Sequence, residues 1–151
     1  MALHETAKDV ANQEEVIAVL KELWGWEGRR LAMRYNADYL ISKGGKPKAI
    51  LEVKCYKVDY PNAVLTLHKA ESCLRYAKRL GVPFVFVVRK ADGTIAYRQV
   101  FDAELDTLAI KWVTNKRAHN HDPVEDSDPY YPLPLSSFKT LSKKIGAPIV
   151  T

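Results

Sequence analysis

Two periods of apolar and polar positions alternate along this chain, and the points where one gives way to the other predict its elements. In "LHETAKDVANQEEVIAVLKELWGW", residues 3–26, the apolar positions fall at helical spacing. Val10, Ile17, Leu20 and Trp24 share one side, joined by Val16 and Leu23, and Gly25 and Gly28 end the helix. "NADYLIS" and "AILEVKCYK" then read as two strands joined by the turn "KGGKPK". A second helix is predicted over "NAVLTLHKAESCLRYAKRLG", residues 62–81, with Leu67, Ala70, Leu74 and Ala77 as its stripe and Gly81 as its stop. "PFVFVVRK" is the most hydrophobic strand and is expected at the centre of a sheet. The turn "ADGT" leads to a strand at "IAYRQVF", and "LAIKWVT" reads as one more.

After residue 116 the periodicity stops. "NKRAHNHDPVEDSDPYYPLP" carries prolines and acids and reads as an extended loop, and "LSSFKTLSKKIG" as a short C-terminal helix capped by a serine. The expected organisation is one domain: a core over residues 1–116 and an extended, Pro-rich tail over 117–151 belonging to it. Its order of helix, strand, strand, helix, strand, strand puts a crossover helix after a hairpin. That predicts an α/β fold with a mixed central sheet flanked by helices.

Composition narrows the class without naming a function. With 151 residues, 47% hydrophobic and 27% charged, the chain suits one globular domain with a real core. No apolar run is long enough to span a bilayer, and "MALHETAKDV" has no apolar leader segment. Cys55 and Cys73 lack metal-ligand spacing and read as reduced thiols. The expectation is a cytoplasmic protein with no membrane partner. A net charge of +5 suits a polyanion such as nucleic acid, as a tilt rather than a proof.

The chemistry is concentrated in the hairpin. Asp38 interrupts its first apolar run, and Glu52 and Lys54 interrupt the second. Side chains alternate along a strand, so Glu52 and Lys54 share a face with Ile50. The hairpin can bring Asp38 beside Glu52. Two facing carboxylates repel unless a cation lies between them, and Mg²⁺ or Mn²⁺, which takes oxygen ligands, is the natural occupant. Lys54 beside them can orient an attacking water or stabilise charge on a phosphate. An isolated Asp and Glu-x-Lys is common by accident, as surface charges on an edge strand. The hairpin between two helices, with apolar residues on both sides of each charge, favours a site.

These residues resemble the PD-(D/E)xK nuclease superfamily, whose pattern is an Asp starting one strand, a variable gap, then Glu-x-Lys in the next. Here it reads Asp38, thirteen residues (39–51), then "EVK" at 52–54, with Ala37 in place of the usual proline. The likeness covers roughly residues 5–101. It implies a restriction-endonuclease-like core and a metal-dependent nuclease, with DNA the expected substrate. It further implies Asp38 and Glu52 as metal ligands, the Val53 carbonyl as another, and Lys54 as the residue positioning water. A glutamate on the first helix often completes the metal site in relatives, and Glu14 is preferred over Glu15. The resemblance also implies a polar or basic residue near the start of the second helix, His68 or Lys69, close to the active site. Arg29, Arg30 and Arg34 are candidate phosphate contacts, or plain surface. The alternatives are a non-catalytic nucleic-acid-binding or assembly module on the same fold, and a resolvase-like homodimer acting on branched DNA.

Other patterns carry less. The tripeptide "HNH" at 119–121, with Asp122, reads as a polar loop rather than a metal centre. Trp24 and Trp26 read as packing residues rather than base-stacking ones.

Overall fold

The computed structural model describes residues 7–114 and 127–149. Its first helix, α1, spans Ala7–Trp24. Strand β1 (Glu27–Arg30) follows, then one 3-10 turn at Met33–Tyr35, then β2 (Tyr39–Lys43) and β3 (Lys46–Cys55). Strand β4 (Asn62–Thr66) leads into α2 (Leu67–Leu80). Strands β5 (Phe84–Arg89) and β6 (Ile95–Val100), the short helix α3 (Asp102–Leu105) and strand β7 (Lys111–Thr114) come next. Strands β8 (Ser127–Pro134) and β9 (Lys139–Thr140) close the described chain.

Six strands form the main sheet in the order β1-β2-β3-β5-β6-β9, and β4-β8-β7 form a smaller one. All neighbours are antiparallel except β3 and β5, which run parallel through the crossover that includes α2. This is the expected mixed sheet. The strand read as central, β5, is buried along its whole length, as a strand covered on both faces must be.

The two helices divide the faces. From α1, Val16, Ile17, Val19 and Leu20 pack with Tyr39, Ile41, Leu51 and Val53 of the hairpin. On the other face, Ala70, Cys73 and Ala77 of α2 pack with Ile50, Phe84, Phe86 and Val88. Each fully buried aliphatic contributes about 1.5–3 kcal/mol, so each face rests mainly on a few such side chains. Trp24 lies edge-on to both Trp26 and Tyr97, with ring centroids 4.8 and 4.9 Å apart, beside the α1 cluster.

The β2–β3 turn sets the register. Gly44 and Gly45 both adopt left-handed φ, +58° and +77°, as a two-residue turn joining twisted strands requires. Lys43 then pairs with Lys46, and after an irregularity at Ile41/Ser42 Tyr39 pairs with Leu51. Asp38 and Glu52 stand one step beyond that last pair.

The structure departs from the sequence expectations at several places. The second helix begins at Leu67, not Asn62, because residues 62–66 form β4 with Ala63 and Leu65 buried and Thr66 as the helix cap. The charged segment at 27–30 is a strand, β1, paired with β2. No α-helix covers 135–146. Instead a 3-10 turn at Leu135–Ser137 precedes β9, which pairs with β6. The extended loop expected over 115–134 is, where described, strand β8 (Ser127–Pro134), paired with β4 and β7, and its part around His119, His121 and Asp122 lies outside the described residues.

Candidate active site

Asp38 and Glu52 come together at the end of the hairpin. Both are buried, at 4% and 1% exposure. Beyond Tyr39 the first strand no longer pairs with β3, and the Asp38 carboxylate takes over as acceptor: the Val53 N–H donates to its Oδ2 at 2.9 Å. Glu52 faces α2 with Ile50, whose cluster lies on that side of the sheet. From the first turn of α2, the Lys69 ammonium reaches both carboxylates, 3.2 Å from Asp38 Oδ1 and 3.3 Å from Glu52 Oε1. Thr66 Oγ1 accepts the Lys69 N–H at 3.3 Å and so fixes where that turn begins.

The three charges are strongly interdependent. Burial, then the Asp38 charge, pushes the Glu52 carboxyl well above its ordinary value. Burial acts the same way on Asp38, but the hydrogen bond with Glu52, the Lys69 charge and the Val53 N–H hold its carboxyl below the ordinary value. Burial disfavours the Lys69 ammonium, yet the Glu52 and Asp38 charges outweigh it and raise its pKa. The two acids and the Lys69 ammonium therefore titrate as one group, with the ammonium held charged between them.

Lys54 is part-exposed on the same strand, two residues from Glu52, and its charge favours the ionised form of Glu52. Among the described residues it makes no ion pair with either carboxylate.

Glu14 does not join this group. It is exposed, and it raises the pKa of the Tyr39 hydroxyl by its charge and hydrogen bond, an effect smaller than burial. Tyr39 belongs to the α1 face of the sheet, whereas Glu52 looks toward α2. Among the described residues no three His, Cys, Asp or Glu side chains cluster as metal ligands. Glu15 turns the other way, 3.7 Å from the buried guanidinium of Arg89.

The α1 residue that touches the site's backbone is Gln13. Buried itself, it donates through Nε2 to the Val53 carbonyl at 3.4 Å, and its Oε1 accepts from Arg30. Arg30 also donates to the Tyr39 hydroxyl at 3.3 Å and lies over that ring. Val53 is therefore held through both its backbone groups, its N–H by Asp38 from the site and its carbonyl by Gln13 from α1. The helical stripe carried this signal: Val10, Gln13, Ile17 and Leu20 fall at spacings of three and four, which places position 13 rather than 14 on the buried side.

The basic candidates separate. Arg30 is turned inward, while Arg29 is exposed and lines a shallow depression with Glu14, Lys21 and Ser42. Arg34 is exposed, with its guanidinium 5.1 Å from the centre of the Tyr35 ring. His68 is exposed at the start of α2, one residue from Lys69.

Comparison with known proteins agrees with this architecture. The family described as "Phage putative PDDEXK endonuclease" matches residues 2–141. A solved structure of Archaeoglobus fulgidus Hjc, a Holliday junction resolvase from an archaeal hyperthermophile, superposes with a TM-score of 0.52 at 13% identity. The match covers 84% of this chain and 96% of that one, a likeness of fold. No curated protein matches the chain.

Proposed function

The chain belongs to that phage PDDEXK endonuclease family, and from this we propose that it hydrolyses phosphodiester bonds of nucleic acid, DNA first of all, with Mg²⁺ or Mn²⁺ as cofactor. The observation that carries the reading is the meeting of two buried carboxylates, Asp38 and Glu52, on neighbouring segments of the hairpin. Two carboxylates with water and phosphate oxygens suit a small hard cation. Asp38 and Glu52 would hold it, and the Val53 carbonyl, which also accepts from Gln13, keeps a second lone pair to offer. When bound, such an ion supplies positive charge that stabilises the phosphate oxygens during attack.

The chain's own side chains would do the rest. Lys54 would hydrogen-bond the attacking water and aim it at phosphorus. Attack forms the new P–O bond as the bond to the 3′ oxygen breaks, the attacking water gives up a proton to solvent, and the 3′ oxygen takes one up from solvent. The products are a 5′-phosphate and a 3′-hydroxyl. His68, Arg29 and Arg34, all exposed, would contact backbone phosphates, so binding should weaken as salt rises. Residues 1–116 would carry this core, with 117–151 completing the same domain.

The test is a substrate panel of duplex, single-stranded, flapped and four-way-junction DNA and RNA. Each is incubated with Mg²⁺, Mn²⁺ or EDTA, for wild type and Lys54→Ala. Cutting that needs the metal and is lost in the variant supports the reading. A binding or assembly module would hold nucleic acid and cut none of it. A preference for junctions, together with a homodimer in sedimentation, would favour a resolvase-like enzyme.

A further inference from the structure

The Lys69 ammonium stands where the proposed function requires a cation. It lies 3.2 Å from Asp38 and 3.3 Å from Glu52, and its side chain is 18% exposed. Two carboxylates buried this close to each other need a nearby positive charge. Among the described residues Lys69 alone supplies it by direct ion pairing. Lys54, on the same strand as Glu52, pairs with neither acid, so two lysines divide two tasks.

An ammonium and a divalent ion cannot both be held against the same carboxylate oxygens, because like charges at that separation repel strongly. One must leave, and Lys69 is built to do so. Its backbone is fixed by the Thr66 cap, but its charge sits at the end of a flexible four-carbon stem. That stem starts in the first turn of α2, beside the exposed His68.

We propose that Lys69 is an exchangeable counter-cation built into the site. Its ammonium neutralises Asp38 and Glu52 until a divalent ion arrives, and then swings to the rim, where it meets a phosphate of the substrate. The inference rests on the metal-dependent reading above and adds a role for Lys69 that a plain backbone contact would not have. It makes the apo site stable and lowers its apparent metal affinity, because the ion binds only the fraction of molecules whose carboxylates are released.

Calorimetric titration with Mn²⁺ tests this on wild type, Lys69→Met and Lys54→Met. Lys69→Met should bind Mn²⁺ at least about tenfold more tightly than wild type, the gain expected when a competing state is removed. Lys54→Met, which deletes an equal charge without an ion pair, should change affinity by less than about threefold. Equal or weaker binding by Lys69→Met, or an equal gain in both variants, overturns the exchange. If Lys69→Met does not fold, the wild-type protein gives a second measurement. Reductive methylation of lysines, read by mass spectrometry, should label Lys69 several times faster with Mg²⁺ than without, and an unchanged or slower rate overturns the proposal. Failure of both wild type and Lys69→Met to bind Mn²⁺ would overturn the metal site itself, and the exchange with it.

Discussion

The Val53 N–H donates to Asp38 Oδ2 at 2.9 Å, so the same carboxylate that forms the site also completes the edge of β3. Asparagine can still accept this bond but lacks the charge. Asp38→Asn should therefore remain folded, losing no more than about 1–2 kcal/mol in urea denaturation. Its metal-dependent cleavage should fall by at least about a hundredfold.

Substitution of Lys54 should separate cleavage from stability. It is part-exposed and makes no ion pair with Asp38 or Glu52 among the described residues, so its removal leaves no buried partner stranded. Lys54→Ala should stay within about 0.5 kcal/mol of wild type in stability. In the same preparation, cleavage should be lost.

Gly93 holds the C-terminal segment against the sheet. Its φ is +87°, and a Cβ there would stand 2.0 Å from the Ile145 carbonyl oxygen. The Ile145 N–H donates to the Gly93 carbonyl at 2.9 Å, so the two backbones cannot easily separate. Gly93→Ala should cost at least about 2 kcal/mol, through strain at positive φ and displacement of the 141–145 segment. A fall in Tm checks this. Leu133, Phe138, Leu141 and Ile145 are all buried in the core. A chain stopped at residue 116 should therefore fail to give a cooperative unfolding transition.

Tyr56 gives a pH signature away from the acids. Its hydroxyl accepts the Val64 N–H at 2.9 Å and so ties β4 to the end of β3. Burial pushes its phenol from 10.0 up to about 12, against the pull of the Val64 N–H. The folded state thus holds this proton more tightly than the unfolded chain. The contribution is fully present below pH 10 and is lost as pH rises through about 12. Tyr56→Phe should cost about 1–2 kcal/mol at neutral pH by stranding the Val64 N–H. The gap between wild type and variant in urea denaturation should narrow from pH 10 upward.

Much of this was legible in the sequence where local rules decide. Period-2 alternation and a Gly-Gly turn were enough to bring Asp38 beside Glu52. The unbroken apolar run at 84–88 marked the sheet centre. Segments whose pattern had a second explanation were misread. Residues 62–66 continue the apolar spacing of α2, yet Thr66 caps the helix and the four before it extend. Phe138, Leu141 and Ile145 fall at helical intervals of three and four. Their spacing reflects a chain crossing the sheet edge, with Phe138 packed on the α2 face and the other two on the α1 face. β1 is short and charged, and only its pairing with β2 makes it a strand.

Within the site, the hairpin residues were legible and the helix contributions only in part: His68 and Lys69 stood as alternatives, and the α1 stripe that marks position 13 was read as favouring Glu14. Sequence spacing says which residues share a helix face, but not how the helix is turned against the sheet. That rotation decides that Lys69 meets both carboxylates while His68 stays exposed. It likewise puts Gln13 on the Val53 carbonyl and Glu14 beside Tyr39.

The central claim is that Asp38 and Glu52 form a metal-dependent nuclease centre. Its most direct test is the single-turnover cleavage rate of end-labelled DNA by wild type and Glu52→Gln, each with Mg²⁺ and with EDTA, and both proven folded by circular dichroism. Wild type should cut with Mg²⁺ only, leaving 5′-phosphate ends, and Glu52→Gln should lose at least about a hundredfold in rate. Cutting that persists in EDTA, or that Glu52→Gln performs as well as wild type, would contradict it.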